Sequence, residues 1–254
     1  MRKQEGPFLF EIRLRTEEST SREAYNSIYD EGGLSQLESF YQWIVRHMEL
    51  PAQGKMLDVS SGAGEVVRLA AAHNLTTIGV DISESAAKTA HRNLQTDPLI
   101  KNHTSFGVSS GESLPFSDGS FDVVSNIGSL EHFLDPAQGV REMARILSPQ
   151  GRAYIFVPNT FSLLINVWEA FRFGRTSVDN QPIQRYGARL DWTILLEENG
   201  LKVIKTMKYE RPWPYHTADW PYYLRHPREF VRLAVSPFIP LNLSFCFFFV
   251  CERQ

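Results

Sequence analysis

The chain has 254 residues, of which 43% are hydrophobic and 22% charged, with a formal net charge of -3. That length suits one domain with an appendage, and that composition suits a globular protein with an ordinary apolar core. The slight negative charge gives no general attraction to nucleic acid, which usually requires a basic face, so no nucleic-acid partner is expected, although a local basic patch stays open.

The opening residues MRKQEGPFLFEIRLRTEES scatter charges through a segment with no apolar core long enough for a signal peptide. No stretch approaches the roughly 18 apolar residues of a membrane span, and a cytoplasmic location is expected. Leu34, Leu37, Phe40, Tyr41, Ile44, Val45 and Met48 recur at helical spacing until Pro51 and Gly54 stop the pattern. KMLDVS (55–60) is a short apolar run, and 66–72 reads as a helix. TTIGVD (76–81) is a second apolar run ending in an acid, and Ser83 is a suitable N-cap for a helix to about residue 95.

The alternation continues with an expected strand at 103–108 and a clearer one at FDVVSN (121–126). Pro136 opens a helix to about residue 147, and a turn at 149–151 leads into RAYIFVP (152–158). Strands alternating with helices predict a mostly parallel sheet covered on both faces. Two aromatic interruptions follow, at 160–187 and at 211–227, separated by a helix at 188–199 and a strand at 201–209. A helical stretch at 228–236 and the run SFCFFFVCE (244–252) close the chain. Cys246 and Cys251 sit an odd number of residues apart in that run, so they face opposite sides and are expected as reduced, buried thiols.

The segment MLDVSSGAGEVV (56–67) poses the functional question. A glycine-rich turn from strand to helix lets backbone approach a ligand closely. The third glycine of a dinucleotide fingerprint is missing after Gly62-Ala63-Gly64, and so is the Gly-Lys-Ser/Thr of a phosphate loop. Asp58 would repel a pyrophosphate but would help to place a cation. Asp81 is suited to a ribose diol, since a carboxylate accepts two hydrogen bonds from it. A nucleoside carrying positive charge fits this pair better than a dinucleotide does.

MLDVSSGAGEVV, IGVDIS, ESLPFSDGSFDVVSNIGSLEHFLDP and REMARILSPQGRAYIFVPN, in that order, resemble the successive motifs of the class I S-adenosylmethionine-dependent methyltransferases. The resemblance covers roughly 55–160 and is weaker through the final strand. It implies an α/β, Rossmann-like, doubly wound sheet of seven mostly parallel strands with the last one antiparallel. It further implies residues 1–50 as an N-terminal helical cap and 51–254 as the methyltransferase domain, with insertions near 160–187 and 210–240. The implied cofactor is S-adenosyl-L-methionine, and no metal is implied. Carried over by position, Asp58, Ser61, Gly62 and Gly64 line its methionine side, Asp81 holds the ribose hydroxyls and Ile82 packs on the adenine. Ser110, Gly111 and Glu112 fall in the adenine loop, and Asn126 approaches the transferred methyl. Three residues depart from the pattern. Ser60 stands where glycine is usual and would narrow the pocket if the backbone there has positive φ. Ser110 replaces a frequent acid, a role that Glu112 could take instead. Gln150 replaces a turn glycine remote from the chemistry.

Other candidates carry two readings each. His132, beside Glu131, is a general base or a residue that orders its loop. Tyr25 and Tyr29 close over the cofactor or pack in the core, and Tyr186 and Trp192 line an acceptor pocket or pack in the core. Arg225, Arg228 and Arg232 form either an ordinary surface helix or a basic stripe for peripheral membrane contact through 225–235. The acceptor expected is a small molecule, a sugar or a lipid-linked precursor. Another transferase on the same fold, and a non-catalytic cofactor-binding regulator or scaffold, remain as alternatives.

Overall fold

A computed structural model describes residues 6–14, 20–95, 103–179, 181–211 and 213–254. The alternation read between 55 and 158 is realised as β2 (Lys55–Val59), α3 (Glu65–Ala71), β3 (Thr76–Asp81), α4 (Glu84–Gln95), β4 (Thr104–Val108), β5 (Phe121–Ile127), α5 (Pro136–Ile146) and β6 (Leu147–Pro158). It is preceded by β1 (Phe10–Arg13), α1 (Ser21–Asp30) and α2 (Glu38–His47). After it come α6 (Trp168–Phe173), β7 (Ile183–Tyr186), α7 (Arg189–Glu198) and β8 (Leu201–Tyr209). The chain ends with α8 (Trp220–Arg225), α9 (Arg228–Val235) and β9 (Cys246–Arg253).

Local chemistry accounts for several boundaries. Ser83 accepts the Ala86 amide through its hydroxyl at 3.1 Å, and Asp135 accepts the Gln138 amide at 3.0 Å ahead of Pro136. Helix α2 starts later than its apolar periodicity does, because Leu37 is extended and the carboxylate of distant Asp219 takes the Glu38 and Ser39 amides. The second insertion thereby fastens the N-terminal segment.

Seven strands form the main sheet in the order β4-β3-β2-β5-β6-β9-β8. All neighbours are parallel except β9, which runs antiparallel to both β6 and β8. The strand order reverses around β2, and a crevice therefore opens beyond the carboxyl ends of β2, β3 and β5. One core layer sets Leu57, Val124, Ile155, Phe247 and Phe249 against α5 and α7, and the other sets Met56, Tyr154 and Phe248 against α2 and α3. Cys246 lies in the second layer and Cys251 in the first, both free and buried.

One feature differs from the expected helical N-terminal segment. Phe10–Arg13 is a strand, paired antiparallel with β7 from Phe10↔Tyr186 to Arg13↔Ile183 in a separate two-stranded sheet. An ion pair of 2.5 Å between Arg185 and Glu11 fastens it, with the Arg185 side chain buried. Both insertions leave the main sheet at one level, since Pro158 and Tyr209 each pair with Cys246. That level is the carboxyl edge, over the crevice.

Candidate active site

The strand β2 cannot enter α3 without a sharp reversal, and the loop achieves it with three left-handed residues. Ser60, Gly62 and Gly64 have φ of 63°, 55° and 89°. The Ser61 amide donates to the Val80 carbonyl and the Gly64 amide to the Ser61 carbonyl, both at 2.9 Å. Space as well as conformation demands the glycines. A Cβ on Gly62 would come within 2.5 Å of the Tyr29 hydroxyl, and one on Gly64 within 2.6 Å of the Phe106 ring. Ser60 occupies its left-handed position without that freedom, which strains an L-residue.

Two buried carboxyl groups flank this loop. Asp58 accepts the Ser125 hydroxyl at 2.5 Å, and burial pushes its carboxyl up to about 7. Asp81 accepts the Gly62 amide at 3.0 Å and the Ser83 amide at 2.9 Å. Burial raises its pKa too, with those backbone donors pulling it back. A cation brought to this crevice favours the ionised form of both, which fits the charge preference read from the sequence.

Two cavities meet here. The larger, about 540 Å³, is walled by Asp58, Ser60, Ser61 and Gly62 on one side and by Phe156, Tyr209 and Phe245 on another. The smaller, about 110 Å³, lies among Tyr25, Asp81, Ile82, Ser110, Gly111 and Glu112. Tyr29, Ser60 and His132 border both. The smaller cavity thus gathers the residues assigned to nucleoside binding, and the larger adjoins the loop. Buried Ser61 Oγ and Glu131 Oε2, both on residues of the larger cavity's wall, have no hydrogen-bond partner among the described residues. Groups so desolvated call for a ligand's polar atoms.

Three expected residues sit differently from their assigned places. Asn126 is fully buried, donates from Nδ2 to the Val59 carbonyl at 3.0 Å and borders neither cavity; Ile127, Gly128 and Ser129 hold the wall there. Its Nδ2 ties β5 to the end of β2, while its buried Oδ1 has no hydrogen-bond partner among the described residues. Gly64 also borders neither cavity and acts through the turn it permits. Glu112 reaches the smaller cavity, but its Oε1 takes the Leu134 and Asp135 amides at 2.7 and 3.2 Å ahead of α5. The Ser110 hydroxyl accepts the Glu112 amide.

His132 lies on a short helical turn after β5, buried among Ile183, Glu131 and Asp179. Its Nδ1 meets the Ile183 carbonyl, which can only accept, so the proton sits on Nδ1 and Nε2 presents a lone pair. Nε2 lies 3.8 Å from Glu131 Oε1 and 4.0 Å from Asp179 Oδ2. Burial holds the imidazole below its ordinary pKa, and burial pushes the Glu131 carboxyl up to about 8. Arg185 fixes this turn from β7 by donating to the Glu131, Phe133 and Leu134 carbonyls.

Tyr25 donates to Gln181 at 3.1 Å and Tyr186 to the Ser177 carbonyl at 3.2 Å; both border the cavities, whereas Trp192 is core. Sequence reading missed Asp179, Gln184, Arg185 and Arg211. Gln184 and Arg185 lie on β7, whose partner β1 is far away in sequence, and Asp179 lies in the segment before it, which leaves no local signal.

Residues 57–155 match the model of a family described as the methyltransferase domain. The chain is 33% identical over 117 residues to the ubiquinone/menaquinone biosynthesis C-methyltransferase of Geotalea uraniireducens, covering 45% of this chain and 49% of that one. It is 30% identical over 171 residues to the 27-O-demethylrifamycin SV methyltransferase of Amycolatopsis mediterranei, covering 65% and 61%. The chain therefore spans about half to three-fifths of the length of these relatives. The structure of geranyl diphosphate C-methyltransferase from Streptomyces coelicolor, in complex with S-adenosyl-L-homocysteine, superposes with a TM-score of 0.57. That match has 14% identity and covers 85% of this chain and 80% of the other, so it speaks for the fold alone.

Proposed function

We propose, on the premise that this chain belongs through residues 57–155 to the class I S-adenosylmethionine-dependent methyltransferase family, that it methylates an uncharged, mainly apolar small molecule. The observation that carries this reading is the left-handed loop 60–64 between the buried carboxyl groups of Asp58 and Asp81, opening on two joined cavities.

The residues fit S-adenosylmethionine. Ser61 has an orphaned hydroxyl, Gly62 has no room for a Cβ beside Tyr29, and two acids await a cation. Asp58, Ser60, Ser61 and Gly62 would hold the methionine portion, and Asp81, Ile82, Ser110 and Gly111 the nucleoside. When bound, the cofactor supplies a methyl group on a sulfonium, an electrophile that needs no further activation. The protein's share is alignment and exclusion of water. Tyr25, Tyr29 and Gln181 wall the smaller cavity, with Tyr25 bonded to Gln181. His132, neutral with Nε2 free to accept, takes the proton of an acceptor hydroxyl. Asp179 then faces the imidazolium so formed.

The larger cavity indicates the acceptor. Phe40, Ile127, Phe156, Ile165, Tyr209 and Phe245 give it apolar walls. Four acids border it, while its one arginine, Arg211, is committed to Glu229 at 3.1 Å. A phosphorylated or carboxylated acceptor would find no uncommitted guanidinium on that wall to pair with. Relatives named for quinone, rifamycin and tocopherol methylation support a lipophilic acceptor. A lipid-linked molecule suits these walls better than a free sugar, and peripheral membrane contact through 225–235 suits such an acceptor.

Tritiated S-adenosylmethionine incubated with the full chain and fractionated cell extract tests this. Label is expected in an organic-extractable, uncharged fraction and to fall about 100-fold or more with His132→Gln. Binding of the cofactor without transfer to any fraction would replace this reading with the non-catalytic one.

A further inference from the structure

The two insertions expose more apolar surface than a solvated edge requires. In the first, Phe161, Trp168, Phe171 and Phe173 are half or more exposed, Phe171 at 81%. In the second, Leu224, Val231, Val235 and Phe238 follow one another at spacings of three to seven residues, with Phe238 at 84%. Helix α9 thus buries Leu233 on one side and turns Val231 and Val235 to solvent on the other.

The two stretches adjoin. Asn159 accepts the Phe161 amide on Oδ1 and donates from Nδ2 to the Asn242 and Ser244 carbonyls. Asn166, in the turn Leu163–Val167, donates back to the Asn159 carbonyl. Asn159 therefore binds the start of the first insertion to the end of the second. The same insertions supply the cavity wall through Ile165, Asn166, Val178 and Arg211.

Charge selects the partner. Residues 211–240 hold four arginines against two acids in a chain whose net charge is -3. Arg172 and Arg225 and Arg228 are exposed beside the apolar side chains, and Arg172 and Arg175 lie over the Phe173 ring at 5.2 and 5.0 Å. Aromatic side chains interleaved with arginines suit a bilayer interface, where rings enter the headgroup boundary and guanidinium groups meet anionic lipid. A symmetric contact with a second copy would instead set like charges near one another. Among the described residues no helix is long and apolar enough to cross a membrane, so contact is with the bilayer surface.

We propose that the exposed faces of both insertions dock as one surface on an anionic bilayer, and that the acceptor is an amphiphile passing from that bilayer into the adjoining cavity. Its second half rests on the methyltransferase reading, whereas the docking does not.

The full chain is sedimented with vesicles of phosphatidylcholine alone and of phosphatidylcholine with phosphatidylglycerol, and cofactor binding is measured on the same preparation. Binding is expected only to the anionic vesicles and should weaken with salt. Arg225→Glu and Arg228→Glu should each weaken it about fivefold. The exposed pair Phe171→Ser with Phe238→Ser should weaken it about tenfold or more and leave cofactor affinity unchanged. Equal sedimentation with neutral lipid or without vesicles, or indifference to these substitutions, overturns the proposal. So does a concentration-dependent dimer that Phe238→Ser abolishes. Loss of cofactor binding in the parent chain would sink the methyltransferase reading and leave the vesicle result to stand alone.

Discussion

Ser60→Gly should stabilise the protein, although it removes a side chain from the wall of the crevice. Ser60 is held at φ 63°, where the Cβ of an L-residue crowds its own backbone at a cost of about 1–2 kcal/mol. Glycine relieves that strain, while its larger unfolded-state entropy takes back about 0.5–1 kcal/mol. The expected net gain is about 0.5–1 kcal/mol. For 254 residues, at roughly 2.1 cal/mol/K each, this raises the melting temperature by about 1–2 °C. Ser60→Ala is the control, because alanine keeps the Cβ and loses only the hydroxyl. Thermal melts by circular dichroism, backed by urea titrations, would resolve the difference. A Ser60→Gly protein that melts at or below the parent temperature refutes the strain argument, as does an equal gain from Ser60→Ala.

Gly64→Ala should cost about 2–4 kcal/mol in urea unfolding, since it adds a Cβ at φ 89° and 2.6 Å from Phe106; a loss under about 0.5 kcal/mol would contradict this. Glu131 keeps its proton up to about 8 in the folded chain, against an ordinary 4.5. The native state therefore holds more protons than the unfolded one across that window, and stability falls as pH rises from about 4.5 through 8. Glu131→Gln should remove about 3–5 kcal/mol of that fall, seen by unfolding both proteins at pH 5 and pH 8.5; equal slopes would refute it. His132→Gln should leave the dissociation constant of S-adenosylmethionine within about threefold while transfer drops about 100-fold, and a drop in affinity of that size would reassign the residue to loop ordering.

The parallel sheet was legible because strands buried on both faces read as continuous apolar runs, as in TTIGVD and FDVVSN. The loop 60–64 was legible because few sequences need two glycines between such a strand and a helix. Strand β1 was not, since FEIR carries two charges and its partner lies 170 or more residues away at Ile183–Tyr186. That pairing brings Arg185 and Gln184 to the site, so they escaped notice too. Asn126 shows the opposite error. A polar residue at a strand end suggests ligand contact, yet Asn126 borders neither cavity and its Nδ2 serves the Val59 carbonyl. Glu112 is similar, being taken up by the Leu134 and Asp135 amides. Residue type marks a polar duty at these positions, and only the packed neighbours decide which one.

Isothermal titration calorimetry of the full chain with S-adenosylmethionine and S-adenosylhomocysteine tests the central claim most directly. One molecule of either is expected to bind per chain in the micromolar range. Asp81→Asn, which sets an amide N–H against the Gly62 or Ser83 amide, should weaken both about tenfold or more while the chain stays folded. Absence of heat from both ligands, or unchanged affinity in a folded Asp81→Asn protein, would contradict the account.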